Sequence, residues 1–163
     1  MLTKLPGRQG GVTLVELMVT VVITGILMAV GIPQMGEWIR RNSIGSAAET
    51  VQNGLRQAEA EAIRRNQRVE FLLTNATPSQ SGILSLEAAG NGQNWAVRVL
   101  GTTDAKLAYV SGFQMTEISS AVELTGPASV FFTGMGRVTG SAGAAVTEYQ
   151  VYRLSRSGAD RAV

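Results

Sequence analysis

Glu16 is the one charged residue in an otherwise apolar stretch, VTLVELMVTVVITGILMAVGI, over residues 12–32. An unpartnered carboxylate in a membrane helix costs about 2.5–3.5 kcal/mol even on lenient insertion scales. A chain that keeps one there has a use for it. Four residues earlier stands Val12, preceded by Gly10 and Gly11. If the chain is cut between Gly11 and Val12, the new α-amine and the Glu16 carboxylate lie near each other in the apolar layer. Opposite charges attract strongly at low dielectric, so the carboxylate can pair with a subunit's freed amine during assembly. A second group with chemical potential lies at the other end. Arg153, Arg156 and Arg161 fall within nine residues, and Arg137 stands on a preceding glycine-rich hairpin. Guanidinium forks suit phosphates, so these four are the candidate contacts to DNA. A solvated edge strand guarded by charge has the same composition.

The rest of the composition excludes more than it suggests. The 163 residues contain no cysteine and no histidine, which removes disulfides, thiol catalysis, zinc-thiolate sites, imidazole ligands and Ser-His-Asp triads. Glu87, Asp104, Glu117 and Glu123 are scattered on or near loops, whereas a calcium site needs several oxygens on one tight loop. Gly134 and Gly136 do not open a helix and lack the spacing of a phosphate loop. The expectation is no enzyme, no cofactor and no metal. The formal charge is +2, but Lys4 and Arg8 precede the apolar run and no acid does. Without them the basic count falls to 12, equal to the 12 acidic side chains. The apparent basicity belongs to the start of the chain.

The elements that position these residues follow from periodicity. Twenty-one residues at ~1.5 Å rise span roughly 30 Å, enough to cross a bilayer, and the preceding positive charges keep the start cytoplasmic. Three readings compete: a cleavable signal peptide with a small-x-small site at residues 29–31, a plain anchor, and a prepilin signal cut before the apolar run. The first two gain nothing from Glu16. Beyond residue 33 the helical period continues. Ile44, Ala47, Ala48, Val51, Leu55, Ala58 and Ala62 recur at three- and four-residue spacing, and Glu61 and Arg65 stand in the favourable order for an ion pair. One helix is expected from about Leu14 to about Arg65, with a kink or loosened turn near Gly31, Pro33 and Gly36. Strands are expected at 68–73, 82–86, 95–100, 129–133 and 147–154, separated by glycine-, proline- and serine-rich turns. A helix followed by a mostly antiparallel sheet is an α+β arrangement, with the sheet's inner face on the amphipathic half of the helix.

At the N-terminus, Gly10-Gly11-Val12-Thr13-Leu14-Val15-Glu16-Leu17 resembles the class III signal of type IV pilins and pseudopilins. That motif has glycine before the cut, a hydrophobic first residue and glutamate fifth in the mature chain; phenylalanine is usual where Val12 stands. Pro33 falls where pilins often carry a helix-kinking proline. Ala58-Glu59-Ala60-Glu61-Ala62-Ile63-Arg64-Arg65-Asn66, Asn94-Trp95-Ala96-Val97 and Phe131-Phe132-Thr133-Gly134-Met135-Gly136-Arg137 resemble motifs of the GspH/FimT family. The resemblance implies the type IV pilin fold, with a leader at 1–11, a transmembrane and assembly helix at 12–39, and a periplasmic globular domain at 40–163 whose helix runs to about 66. It implies cleavage by prepilin peptidase between Gly11 and Val12, N-methylation of Val12, and an assembly charge at Glu16. The implied partners are major and minor pilins or pseudopilins, the peptidase and the inner-membrane assembly platform. The implied location is the inner membrane, single-pass, and then a pilus or pseudopilus. A minor type IV pilin, a type II secretion pseudopilin and a DNA-uptake subunit all remain open. Some family members resemble DNA receptors with a C-terminal Gly-Arg-x-Arg element. Here Gly158-Ala159-Asp160-Arg161 keeps the second arginine and replaces the first with Ala159.

Overall fold

The structure, a computed structural model, describes residues 11–140, 143, 146, 151–156 and 159–162. The chain divides into two compact units, Met1–Ile39 and Arg40–Val163. Residues 1–10 of the expected leader lie outside the described residues.

Helix α1 is Leu14–Arg65, 52 residues, and its helical assignment continues through Gly31, Pro33 and Gly36. In the first unit every described side chain is exposed. In the second unit the expected stripe is the buried face of the helix. Ile44, Ala47, Ala48, Val51, Ala58 and Ala62 are buried, and Leu55 packs against the same cluster. The helix ends at Asn66, whose φ is 51°. Asn66 N–H donates to Ile63 O at 3.2 Å and Gln67 N–H to Ala62 O at 3.2 Å, the paired bonds that close a helix on a left-handed residue. Glu61 pairs with both Arg64 and Arg65. The Arg64 hydrogen bond, joined by Arg65, holds the Glu61 carboxyl below its usual range against the opposing effect of burial.

The remaining elements are β1 (Val69–Thr74), a 3-10 turn (Ile83–Ser85), β2 (Asn94–Val99), a short helix α2 (Ala105–Ala108), β3 (Tyr109–Gln114), a second 3-10 turn (Met115–Glu117), β4 (Glu123–Thr125), β5 (Ser129–Phe132), β6 (Val138–Thr139), β7 (Arg153–Arg156) and β8 (Ala159–Ala162). They form a five-stranded sheet of order β3-β2-β1-β5-β6 and a three-stranded sheet of order β4-β7-β8. Every pairing is antiparallel. The fold is α+β, as expected, with the sheet packed on the helix.

Strand β1 is buried along its whole length because both its faces are covered. Val69, Phe71 and Leu73 face the cluster that contains the helix stripe, whereas Leu72 joins Ile83, Leu86, Ala96 and Ala108 on the other side. Phe71 and Trp95 stack at 5.5 Å, Trp95 and Phe113 at 6.1 Å, and Tyr152 meets Phe71 edge-on at 5.6 Å. Gly54 makes room for this layer. A Cβ there would lie 2.8 Å from Phe71 Cε2 and 2.9 Å from Trp95 Cη2.

Residues 82–86, expected as a strand, instead contain the 3-10 turn. The Ile83 and Leu86 carbonyls each accept from Arg98 Nη1 at 3.1 Å, so a side chain and not a neighbouring strand satisfies them. Strands β3, β4, β6 and β8 and helix α2 were not anticipated. The expected strand at 147–154 lies partly outside the described residues; within them, β7 starts later, at Arg153.

Candidate functional site

The N-terminal site starts at the beginning of α1. Residues 11–13 precede the helix, and Val12 is exposed. Thr13 acts as its cap: Oγ1 accepts the Glu16 N–H at 3.2 Å, while its carbonyl accepts the Leu17 N–H at 3.2 Å. Thr13-x-x-Glu16 is therefore a capping-box sequence with the threonine half formed. Glu16 sits in the first turn, where the positive end of the helix dipole favours a carboxylate by about 0.3–1 kcal/mol. The cap was legible as a threonine three residues before a glutamate at the head of an apolar run. Leu14–Ile32 is long and apolar enough to cross a membrane, with mean hydropathy 2.3 and none of the window buried.

Three of the four candidate arginines share the β7–β8 hairpin, where Arg161 stands opposite Leu154, next to Arg153; Arg137 lies apart from them. Arg156 Nη1 donates to Ser43 Oγ at 2.7 Å, and Ser43, itself buried, donates to Arg40 O at 2.8 Å. This ties β7 to the first buried turn of the helix in the second unit. Arg153 is exposed on the same strand. Arg161 lies in β8, and Gly158 lies outside the described residues. Arg137 is exposed on the β5–β6 hairpin, where it lines a cleft with Asn66. Ser43 and Asn66 are separated by roughly 35 Å of helix at ~1.5 Å per residue. Arg137 and Arg156 therefore sit at opposite ends of the domain's helix. One of the four is already spent on an internal hydrogen bond.

A built polar network exists elsewhere and was not anticipated. Glu70 is 4% exposed. Its carboxylate accepts from Arg98 Nε at 2.7 Å and from Ser129 Oγ at 2.6 Å. Glu70 and Arg98 are directly opposite across β1 and β2. With both carbonyls of the 3-10 segment also bound, the pair is paired and hydrogen-bonded, as a buried ion pair must be. Its work is structural: it pins residues 83–86 against the sheet. Burial also pushes the Tyr152 phenol well above its ordinary range. Among the described residues there is no group of three or more acidic side chains able to hold a metal.

Residues 47–163 match the family described as Type II transport protein GspH, and residues 6–32 match the prokaryotic N-terminal methylation motif. The chain belongs to the GspH family. Its fold is similar to that of the type IV minor pilin FimU of Pseudomonas aeruginosa strain PAO1. The crystal structure in space group P21 matches at TM-score 0.50 and 13% identity, covering 77% of this chain and 83% of that one. A second crystal form of FimU, in space group P65, gives 0.45 and 12% identity over 72% of this chain and 82% of that one. This GspH-family protein is thus a minor pilin or pseudopilin, a subunit that works alongside other pilin-like chains. The methylation motif coincides with the segment carrying Gly11, Val12 and Glu16, and the GspH match takes in the helix stripe from Ala47 onward and both sheets. The apolar part of α1 is the membrane-anchoring segment.

Proposed function

We propose that this GspH-family chain is a minor type IV pilin incorporated into a pilus or its priming or tip complex. Prepilin peptidase cuts after Gly11 and the new Val12 amine is methylated. The apolar helix holds the subunit in the inner membrane with the domain in the periplasm. The assembly platform then draws it into a filament alongside major and minor pilins. The observation that carries this is Glu16: the one charged side chain in Leu14–Ile32, placed on the first helical turn four residues after Val12. Pro33 falls within α1 and supports a role in loosening the helix during extraction, because proline removes a backbone donor. The role is structural, not catalytic.

The test separates the charge from the cap. Glu16→Gln keeps a side chain that can serve a capping box and removes the negative charge. The variant should be cleaved and inserted but should incorporate poorly into filaments, as should Glu16→Ala. Normal incorporation of Glu16→Gln would show that Glu16 serves as a cap and that the amine-carboxylate account is wrong. Mass spectrometry of the mature chain should find Val12 first, carrying one added methyl group. A mature chain beginning at Ile32 would mean an ordinary signal peptide. A type II secretion pseudopilin is the rival reading within the family. Deletion scored in parallel for twitching, transformation and secretion distinguishes them, and a defect confined to secretion would transfer the subunit to the secretion system.

A further inference from the structure

The cleft beside Arg137 has a chemistry that neither the filament role nor the fold requires. It measures about 330 Å³ and lies between the end of α1 and the β5–β6 hairpin, with Asn66, Thr133, Arg137 and Thr139 among its lining. Its polar side chains are donors or amides, and no carboxylate lines it among the described residues. Thr139 is the clearest anomaly. It is 9% exposed and its Oγ1 is buried without a hydrogen-bond partner. A buried hydroxyl left unpaired costs stability, and a valine of the same shape would avoid that cost. The Arg137 guanidinium is exposed and makes no ion pair among the described residues.

The hairpin holds these groups in fixed positions before any ligand arrives. Thr133 N–H donates to Arg137 O at 2.9 Å, Gly136 N–H to Thr133 O at 2.8 Å, and Arg137 N–H to Thr133 Oγ1 at 3.2 Å. Because Thr133 Oγ1 is an acceptor in that last bond, its own proton remains available to donate. Gly136 has φ 73°, and a Cβ at Gly134 would fall 2.4 Å from Asn66 Oδ1. The turn is thus seated directly on the helix cap. Nearby, Arg68 binds Gly140 O and lies over Phe131.

We propose that this cleft binds a phosphate group, with Arg137 as the guanidinium fork and the Thr133 and Thr139 hydroxyls as further donors. A planar fork with hydroxyl donors matches the oxygens of a phosphate, and the exposed Glu59 carboxylate, which reaches the hairpin at Gly136, is not among the described lining. The volume leaves space for the moiety that carries the phosphate. A small phosphate ester and a nucleic-acid backbone present the same group, and the experiment tells them apart.

The full chain in detergent is titrated with inorganic phosphate against chloride of matched ionic strength, following thermal unfolding. The same is done with a nucleoside monophosphate and a short single-stranded oligonucleotide. Phosphate should raise the unfolding temperature where chloride does not. Arg137→Ala should weaken binding by about tenfold or more, and Arg56→Ala, an exposed arginine on α1 outside the cleft, should leave it unchanged. Thr139→Val should raise the unfolding temperature of the ligand-free chain while weakening phosphate binding, a combination that a merely structural threonine would not give. Tighter binding of the monophosphate than of the oligonucleotide identifies a small ester as the source, and the reverse identifies a polynucleotide. No phosphate-specific shift in the unaltered chain, or full affinity in both Arg137→Ala and Thr139→Val, overturns the proposal.

Discussion

Replacing Gly54 with alanine sets two large effects against each other. In an exposed helix interior, Gly→Ala stabilises by about 1 kcal/mol, because alanine has less backbone entropy to lose. At Gly54 the added methyl would stand 2.8 Å from Phe71 Cε2 and 2.9 Å from Trp95 Cη2 and Cζ3. Ordinary carbon contacts are about 3.5–4.0 Å, so the shortfall is near 1 Å against two rings at once. Neither ring can step aside: Trp95 is stacked between Phe71 and Phe113, and Phe71 is braced edge-on by Tyr152. Overpacking of this kind costs about 1–3 kcal/mol, occasionally more, and with two rings blocked the upper part of that range applies. The net expectation is a loss of about 1–2 kcal/mol. Residues 40–163 contain every member of both core clusters, so urea unfolding of that domain is a fair assay. The midpoint should fall with little change in the slope. A midpoint that rises would refute the reasoning and show that the helix can lift off the aromatic layer at no cost.

Two further predictions concern polar contacts. Arg98→Leu strands the buried Glu70 carboxylate and should cost about 3–5 kcal/mol by chemical denaturation, whereas Glu70→Leu with Arg98→Leu should cost less than Arg98→Leu alone; a double loss equal to the sum of the two single losses would mean that the pair is not energetically coupled. Arg156→Ala should cost about 1 kcal/mol and speed amide exchange around Ser43, while leaving exchange near Asn66 unchanged; faster exchange at both ends would contradict the separation of the arginines.

What could be read from the sequence depended on the range of the physics. The α1 stripe was legible because period and residue size act within a few residues, and small side chains are what let a sheet approach a helix closely. Strands β1, β2 and β5 were legible from their β-branched and aromatic runs. Strand β3, YVSGFQ, was not: all six residues are half-buried and no alternation marks a face. The segment 82–86 was misread because its apolar residues suit a strand, and the donor that claims its carbonyls, Arg98, lies 12 and 15 residues away. The surroundings of the C-terminal arginines were out of reach for the same reason on a larger scale. They are neighbours in sequence, but Arg156 is engaged by Ser43, 113 residues earlier. Arg137 is held beside Asn66 by a hairpin whose glycines read only as a turn.

The two stretches of α1 also differ in what can satisfy them. From Ser43 onward the apolar residues of the helix have their own sheet to cover them. From 11 to 42 every described side chain is exposed, including Leu14, Val15, Met18, Val21, Ile26 and Leu27 at 60–76%. A soluble monomer rarely carries a contiguous apolar surface of that extent, so lipid or other apolar helices must cover it. In lipid, Glu16 gains from the helix dipole about 0.3–1 kcal/mol, short of the about 2.5–3.5 kcal/mol that a charge costs at the centre of a membrane helix. The cap alone therefore does not account for the residue. On the proposed function, the cut before Val12 would supply the rest as an opposite charge in the same layer.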